Sequence, residues 1–325
     1  MMEKNKRILI TGAAGFIGSY LLGYLNREGF ENIVISDEFN EPLKEPNYTA
    51  AKFSEKIDRN ELIGWLKDQS FDLVYHLGAR TDTTEFNYAI LQELNLEYSK
   101  RIWAYCSINR IPLVYASSAA TYGAGEKGYL DDHVVVDQLK PLNPYGVSKN
   151  EFDKWALSQL NSPPAWYGLK FFNVYGPNEY HKERMASVIF HSYNQIRASG
   201  TVRLFRSHRE GFRDGEQLRD FIYVKDIASI CFWLIDNRVK SGLYNAGTGK
   251  ARTFNDLVLA VFKALELKPD IQYIDMPEDI RETYQYFTEA DMRKLRKAGY
   301  EKDFYSLEEG VTEYVREYLV GHRYY

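Results

Sequence analysis

Apolar residues fall along this chain in two alternating rhythms. Arg7 to Ile10 and Asn32 to Ser36 are short runs of β character, and Phe16 to Arg27 between them repeats apolar residues at helical spacing, which predicts a βαβ unit. The alternation continues. Arg59 to Lys67 predicts a helix, Asp72 to His76 a strand, Ala89 to Ser107 a long helix, Pro112 to Ala116 a strand, Ser148 to Leu160 a helix and Tyr167 to Phe172 a strand. Strands alternating with helices of this length require a parallel sheet covered on both faces and joined by right-handed crossovers. The expected fold class is therefore α/β, a doubly wound parallel sheet.

After Asn173 the pattern changes. A Gly176-Pro177 break precedes a predicted helix from Ala186 to Ala198 and a polar, arginine-dense loop from Arg206 to Arg219. Phe221 to Val224 and Gly242 to Asn245 predict strands that return to the first sheet. Helices at Asn255 to Leu265 and Ser306 to Leu319, with a strand near Ile271 to Ile274, would cap it. A chain of 325 residues, at about 150 residues per domain, suggests two domains. No repeat or low-complexity linker separates them, so the second, smaller α/β domain is expected to be interleaved. Residues 1–173, 220–249 and 286–300 form the sheet domain in this reading, and 174–219, 250–285 and 301–325 the other.

Composition narrows the ligand. Hydrophobic residues at 45% and charged residues at 26% are those of a folded globular protein. Lys plus Arg 41 against Asp plus Glu 45 gives a net charge of -4, so no overall basic field gathers nucleic acid and any anionic ligand must be held by local groups. No apolar run approaches the ~18 residues of a membrane span. Lys4, Lys6 and Arg7 before an apolar stretch imitate a secretory leader, but a leader has no reason to space glycines at 12, 15 and 18, so the expected location is cytoplasmic. Cys106 and Cys231 lie in apolar runs without a CxxC or clustered His, which suits buried reduced thiols and argues against a metal site. Aromatic content is high, 15% with 26 Tyr and 18 Phe, more ring surface than a core alone requires.

Three motifs carry chemistry. Thr11-Gly12-Ala13-Ala14-Gly15-Phe16-Ile17-Gly18 joins the first strand to the first helix, where a dinucleotide pyrophosphate sits on the helix N-terminus. Gly12 permits the tight turn, Gly15 lets the backbone approach phosphate, and Gly18 allows close helix packing. Asp37, ending the second strand about 20 residues on, would accept bonds from the adenosine ribose. Glu38 beside it repels a 2′-phosphate, whereas Lys44 and Arg59 offer counter-charges, so local chemistry leaves NAD and NADP both open. Tyr145 and Lys149 stand four apart at the start of a helix and share a face. An ammonium within a few ångströms lowers the pKa of a phenol, so such a pair can remove the proton of a sugar hydroxyl while hydride leaves to a nicotinamide. Ser118, at the C-terminal edge of a strand, could donate to the reacting oxygen beside Tyr145; Ser117 is the structural neighbour.

TGxxGxxG, a serine before TYG, and YxxxK in this order resemble the extended short-chain dehydrogenase/reductase (NAD-dependent epimerase/dehydratase) superfamily of nucleotide-sugar enzymes, essentially end to end. That resemblance implies a Rossmann sheet domain with a substrate domain. Within it, YASSAATYG, PLNPYGVSK, FFNVYGPNEYHKERMASVIFH, LRDFIYVKDI, YNAGTG and YQYFTEADMRKLRKAGY resemble the ADP-L-glycero-D-manno-heptose 6-epimerase family. That family inverts the sixth carbon of the ADP-linked heptose of the lipopolysaccharide inner core. The resemblance implies that the cofactor oxidises this carbon to a ketone, that the intermediate rotates, and that hydride returns on the other face. It places a second acid/base at Lys182, opposite Tyr145, a residue that spacing alone does not single out. It also implies a tightly bound NADP, one per subunit, with NAD the alternative, and a homo-oligomer.

Cofactor contacts implied by the same resemblance are Phe16, Ile17, Asp37, Glu38, Lys44, Arg59, the Leu77-Gly78-Ala79 turn, Asn95, Lys149 and Val174, with Tyr145 and Lys182 adjoining. Substrate contacts are Ser118, Asn173, Arg184, His191, Phe205, Arg219 and Tyr284. Arg219 suits a diphosphate and Phe205 and Tyr284 suit stacking. The chain departs from the family pattern at Arg184, where a small polar residue is common, and in the long 206–219 loop. A dehydratase would want an Asp-Glu pair after Ser118, and Ala119-Ala120 stand there instead. A UDP-hexose 4-epimerase would share Ser118, Tyr145 and Lys149 without needing Lys182. A non-catalytic NAD(P)-binding regulator would have no use for the Tyr/Lys pair.

Overall fold

The computed structural model describes residues 2–281 and 284–325. Seven strands form one parallel sheet: β1 (Ile8–Thr11), β2 (Ile33–Asp37), β3 (Glu55–Asp58), β4 (Leu73–His76), β5 (Leu113–Ser118), β6 (Trp166–Phe171) and, after three strands outside it, β10 (Gly242–Ala246). Their spatial order is β10-β6-β5-β4-β1-β2-β3, so the chain runs outward from β1 through β2 and β3, then restarts beside β1 at β4 and runs the other way. The restart is a topological switch point, where doubly wound sheets bind ligands. β1, β2 and β4 are buried at every residue, as continuous apolar runs demand when helices cover both faces.

The helices of this layer are α1 (Phe16–Arg27), α2 (Arg59–Trp65), α3 (Tyr88–Leu91), α4 (Tyr98–Ile108) and α5 (Pro144–Ser158). Between α3 and α4 the predicted long helix widens into a π-turn at Gln92–Glu97, which buries Asn95 completely. α5 begins one turn before its apolar periodicity does. The Asn143 side chain accepts Gly146 N–H at 2.8 Å and Pro144 takes the first helical position, so local capping sets the start and puts Tyr145 in the first turn.

One predicted strand pairs elsewhere than its sequence suggests. The run at Phe221 to Val224 does not rejoin the first sheet. It belongs to β9 (Leu218–Tyr223), the centre of a separate three-stranded sheet, parallel to β7 (Asn173–Tyr175) and antiparallel to β11 (Ala251–Thr253). A short apolar run specifies a strand without specifying its partner, and β7, leaving the main sheet directly after β6, offers the free edge. The predicted strand at Ile271–Ile274, β12, pairs in parallel with β8 (Val202–Phe205), whose alternation of buried Val202 and Leu204 with exposed Arg203 lies beside the arginine-dense loop. α6 (Val188–Ser199), α7 (Val224–Asn237), α8 (Phe254–Ala264), α9 (Glu278–Arg281), α10 (Arg293–Lys297) and α11 (Leu307–Glu313) complete the order. Among the described residues no helix is long and apolar enough to cross a membrane.

The two edges of the main sheet differ. β3 carries the charged sequence EKID. On β10 the outward Leu243 N–H donates to His133 Nε2 at 3.1 Å, Asn245 N–H donates to Asp131 Oδ2 at 2.8 Å, and the Leu243 carbonyl accepts Lys294 Nζ at 2.7 Å.

A buried polar network fastens α5 to β5 and β6. Asp153 accepts Lys170 Nζ at 2.7 Å, Ser117 Oγ at 2.6 Å and Tyr115 Oη at 3.0 Å, and Lys170 also donates to Thr121 Oγ1 at 2.8 Å. Both charges are almost wholly excluded from solvent, so each depends on the other. Ser117 is thus structural, as expected from sequence. Lys170→Met would leave Asp153 buried and unpaired and should destabilise the protein by about 3–5 kcal/mol, read from the urea unfolding midpoint; a change below ~1 kcal/mol would contradict the assignment.

Candidate active site

The turns that follow β1 and β4 meet at the switch point. Gly12 has φ 71°, and a Cβ on it would lie 2.5 Å from Gly78 N, so only glycine lets the two turns close on each other. A Cβ on Gly18 would lie 2.0 Å from the Gly12 carbonyl oxygen, which is the close packing expected of the third glycine. Gly15 is crowded only by Gly12 O, at 3.2 Å, and as the N-cap of α1 it makes no side-chain capping bond. Side-chain-free backbone beside an uncapped helix N-terminus fits the pyrophosphate of a dinucleotide.

At the end of β2, the buried Asp37 accepts Ala14 N–H at 2.9 Å, Glu38 N–H at 2.7 Å and Lys44 Nζ at 3.2 Å. Arg59 pairs with Glu38 at 2.9 Å. These four residues therefore gather as two ion pairs, with each cation held by an acid. Asn95 behaves differently from the other expected cofactor contacts. It accepts Arg80 N–H at 2.8 Å and donates to the Arg80 carbonyl and to Ser148 Oγ, both at 3.0 Å. Its side chain is fully engaged in fixing the turn after Ala79, and it acts on the site through that turn.

Beside the glycine turn lies a cavity of about 350 Å³. Phe16, Ile17, Leu77 and Ala79 line it from the side of α1 and β4, and Asn173 and Val174 from β7. Ser118, Tyr145, Lys149 and Lys182 all reach it, although they come from three separate stretches of chain. Ser118 Oγ accepts Ala120 N–H at 3.1 Å, and Ser118 and Tyr145 both face the cavity. The buried Lys149 donates to the Ala116 carbonyl at 2.8 Å, and burial lowers its pKa to about 8, an effect that Asp153 partly opposes. The spacing of Tyr145 and Lys149 predicts that the ammonium pulls the phenol down. Instead burial pushes the phenol up, and Ser118 offsets only part of that.

Lys182 follows the fully buried Glu179 in a tight 3₁₀ segment, Tyr180–Met185. Its Nζ sits 5.3 Å from the centroid of the Phe16 ring, and burial lowers its pKa while Glu179 raises it. Glu179 in turn accepts Ser187 N–H and Oγ, each at 2.6 Å. Neighbouring His181 is pushed down to about 4, by burial and then by Lys44 and Lys182, so it is neutral at pH 7. It meets Asn47 Nδ2 at 3.1 Å, and Asn47 donates to the Ala14 carbonyl in the glycine turn at 2.8 Å.

The remaining expected substrate residues form two neighbouring groups. Arg219 is buried, its guanidinium 5.2 Å from the Tyr284 ring centroid and 5.7 Å from that of Phe254, and Phe205 meets Tyr284 edge-on at 6.4 Å. Burial lowers the Arg219 pKa. Phe254 also lines the cavity, so this cluster adjoins it. Arg184 is exposed and pairs with Asp82 at 3.2 Å, and His191 Nε2 lies 3.3 Å from the Arg184 carbonyl; neither lines the cavity. Thr81, Thr83, Met185, Phe221 and Phe254 do line it. Sequence reasoning misses all five: none carries a charge, and although Met185 and Phe221 fall within the quoted motif blocks, nothing there singles them out as lining a cavity.

The description "NAD dependent epimerase/dehydratase family" belongs to the family profile that matches residues 8–247. The chain is 48% identical over 324 residues to an ADP-L-glycero-D-manno-heptose-6-epimerase of Fusobacterium nucleatum, covering 96% of this chain and 98% of that one. It is 40% identical to the protein of the same name from Alkalilimnicola ehrlichii, covering 95% and 96%. Among solved structures, the Helicobacter pylori ADP-L-glycero-D-manno-heptose-6-epimerase matches with TM-score 0.81 and 31% identity, covering 97% and 96%. A Methanobrevibacter ruminantium UDP-N-acetylglucosamine 4-epimerase matches with TM-score 0.83 and 25% identity, covering 98% and 100%.

A lysine whose pKa falls from 10.5 in the unfolded chain to about 8 in the fold binds fewer protons when folded. It therefore destabilises the fold fully below pH 8, and the cost is relieved as pH rises toward 10.5. Lys149→Met should raise stability at pH 7 by roughly 2–3 kcal/mol, the shift at 1.4 kcal/mol per unit less the bond to Ala116. Urea midpoints should show that gain shrinking between pH 8 and 10.5.

Proposed function

Because this chain belongs to the NAD dependent epimerase/dehydratase family and, within it, to the ADP-L-glycero-D-manno-heptose-6-epimerases, we propose that Tyr145 and Lys182 are its two proton-transfer groups. The enzyme is an isomerase that interconverts ADP-D-glycero-β-D-manno-heptose and ADP-L-glycero-β-D-manno-heptose. When bound, the nicotinamide supplies reversible hydride acceptance at the sixth carbon of the heptose. The observation that carries the two-group reading is the convergence of Tyr145 and Lys182 on one cavity beside the glycine turn.

Inverting a carbon needs a proton taken on one face and returned on the other, which a single fixed group serves poorly. Tyr145 and Ser118 line the same cavity, so a sugar hydroxyl entering it can meet both a proton acceptor and a donor. Lys149, one helical turn on from Tyr145, is held by the Ala116 carbonyl of β5 and stays positively charged below pH 8. Lys182, with its pKa lowered by burial, is nearer to neutral pH than a solvated lysine and so can give up a proton as well as hold one. A hexose 4-epimerase would leave that desolvated lysine without use.

In this reading Arg219 holds the substrate diphosphate, with Phe205 and Tyr284 against its rings, Asn173 and His191 are further substrate contacts, and Arg184 lies toward the nucleotide diphosphate. Gly12, Gly15, Phe16, Ile17, Asp37 and Val174 hold the dinucleotide. NADP is the proposed form because Lys44 and Arg59 bring two cations to the end of β2; NAD is the alternative because each cation is already paired. The setting proposed is a cytoplasmic homo-oligomer supplying the lipopolysaccharide inner core.

Proton NMR of the enzyme with ADP-D-glycero-β-D-manno-heptose should show both epimers appearing, and an unchanged spectrum would sink the activity. Lys182→Met should lower kcat by roughly 10²–10⁴-fold, the usual worth of a positioned acid/base; a full rate would remove the basis for two groups. Mass spectrometry of the dinucleotide that copurifies distinguishes NADP from NAD.

A further inference from the structure

Lys182 lies in backbone that leaves ordinary geometry twice. Asn178 has φ 74°, and Glu183 has φ 46° with ψ -124°. Non-glycine residues persist in such conformations only where their surroundings hold them. Much of that hold comes from residues 318–325.

Asn178 is fully buried. Its side-chain oxygen accepts the Tyr325 N–H at 2.9 Å, and its amide donates to Ser19 Oγ of α1 at 3.0 Å. The Tyr180 hydroxyl lies 3.0 Å from the Arg323 carbonyl oxygen and 3.2 Å from that of Tyr318, so its one proton is shared between them. Its ring packs against His322 and Tyr324, with centroids 4.6 and 4.9 Å away. Tyr325 then lies flat on Tyr20 of α1, centroids 3.8 Å apart and planes within 17°, with the Arg27 guanidinium 3.7 Å from its ring centroid. Gly23 makes room for this: a Cβ there would meet two Tyr325 ring carbons at 2.9 Å.

We infer that residues 322–325 are a clasp that positions Lys182. They hold Asn178 and Tyr180 against α1, and so keep residues 178–183 in the strained path that brings the ammonium to the cavity and over Phe16, in the first turn of the same helix. Tyr180, Asn178 and Tyr325 are positioning residues in this account, since none of them lines the cavity. The inference rests on the reading of Lys182 as a proton-transfer group.

Two variants disturb the clasp from opposite sides. Tyr180→Phe removes the shared hydroxyl proton, and Gly23→Ala pushes the Tyr325 ring off α1 while improving the helix propensity at that position. Each should lower kcat by roughly ten- to a hundredfold, as misplacement of a reacting group does, while KM and bound dinucleotide stay at the parent values. In a Lys182→Met background the same changes should cost nothing further, because the group they position is gone. Unchanged kcat in both variants would overturn the clasp, and so would losses that repeat in full without Lys182. A Lys182→Met enzyme working at full rate would instead overturn the two-group reading on which the clasp depends.

Discussion

The contact between Gly12 and Gly78 is the constraint from which the rest of the site follows. Two strands adjacent in space but far apart in sequence end in turns that touch backbone to backbone, at a distance that excludes even a methyl group. That closure leaves the N-terminus of α1 facing open space with nothing of its own to cap it. It also fixes Phe16 and Ile17 against Leu77 and Ala79 as one wall of the cavity. The other walls, carrying Ser118, Tyr145 and Lys182, have meaning only relative to this one.

The local part of this arrangement is legible in the sequence. The glycines, Asp37 and the Tyr145/Lys149 spacing each act within one or two turns of chain, where period and cap chemistry decide geometry. Lys182 is legible only through resemblance, since a lysine in a polar loop carries no mark of its burial. Contacts between distant residues are not legible at all. Asp82 with Arg184, Asn178 with Tyr325, and Phe254 between the cavity and Arg219 are set by how elements pack. The partner of β9 is set by packing in the same way, and α5 starts ahead of its apolar period because Asn143 and Pro144 outweigh it. The excess of aromatic residues, unexplained by composition, finds part of its place in Tyr20, Tyr180, Tyr324 and Tyr325 around the Lys182 loop.

Electrostatics follows a single theme. Lys149, Lys182 and Arg219 are all desolvated, and each has its pKa lowered by burial. A cation out of water is costly to keep, so the two lysines that reach the cavity, with the buried arginine of the adjoining cluster, favour a ligand that brings negative charge. The chain as a whole is acidic, and the attraction is confined to one place. The same desolvation brings the lysines toward the range in which protons move at neutral pH.

The two edges of the main sheet carry a consequence for solubility. An unpaired strand edge is a template onto which another chain can crystallise its own backbone, the route by which folded proteins begin to polymerise. Here one margin is electrically rough and the other has its outward N–H and C=O groups taken by His133, Asp131 and Lys294. On that second margin the outward backbone groups are already taken, so another chain could add to the sheet there only by displacing His133, Asp131 and Lys294.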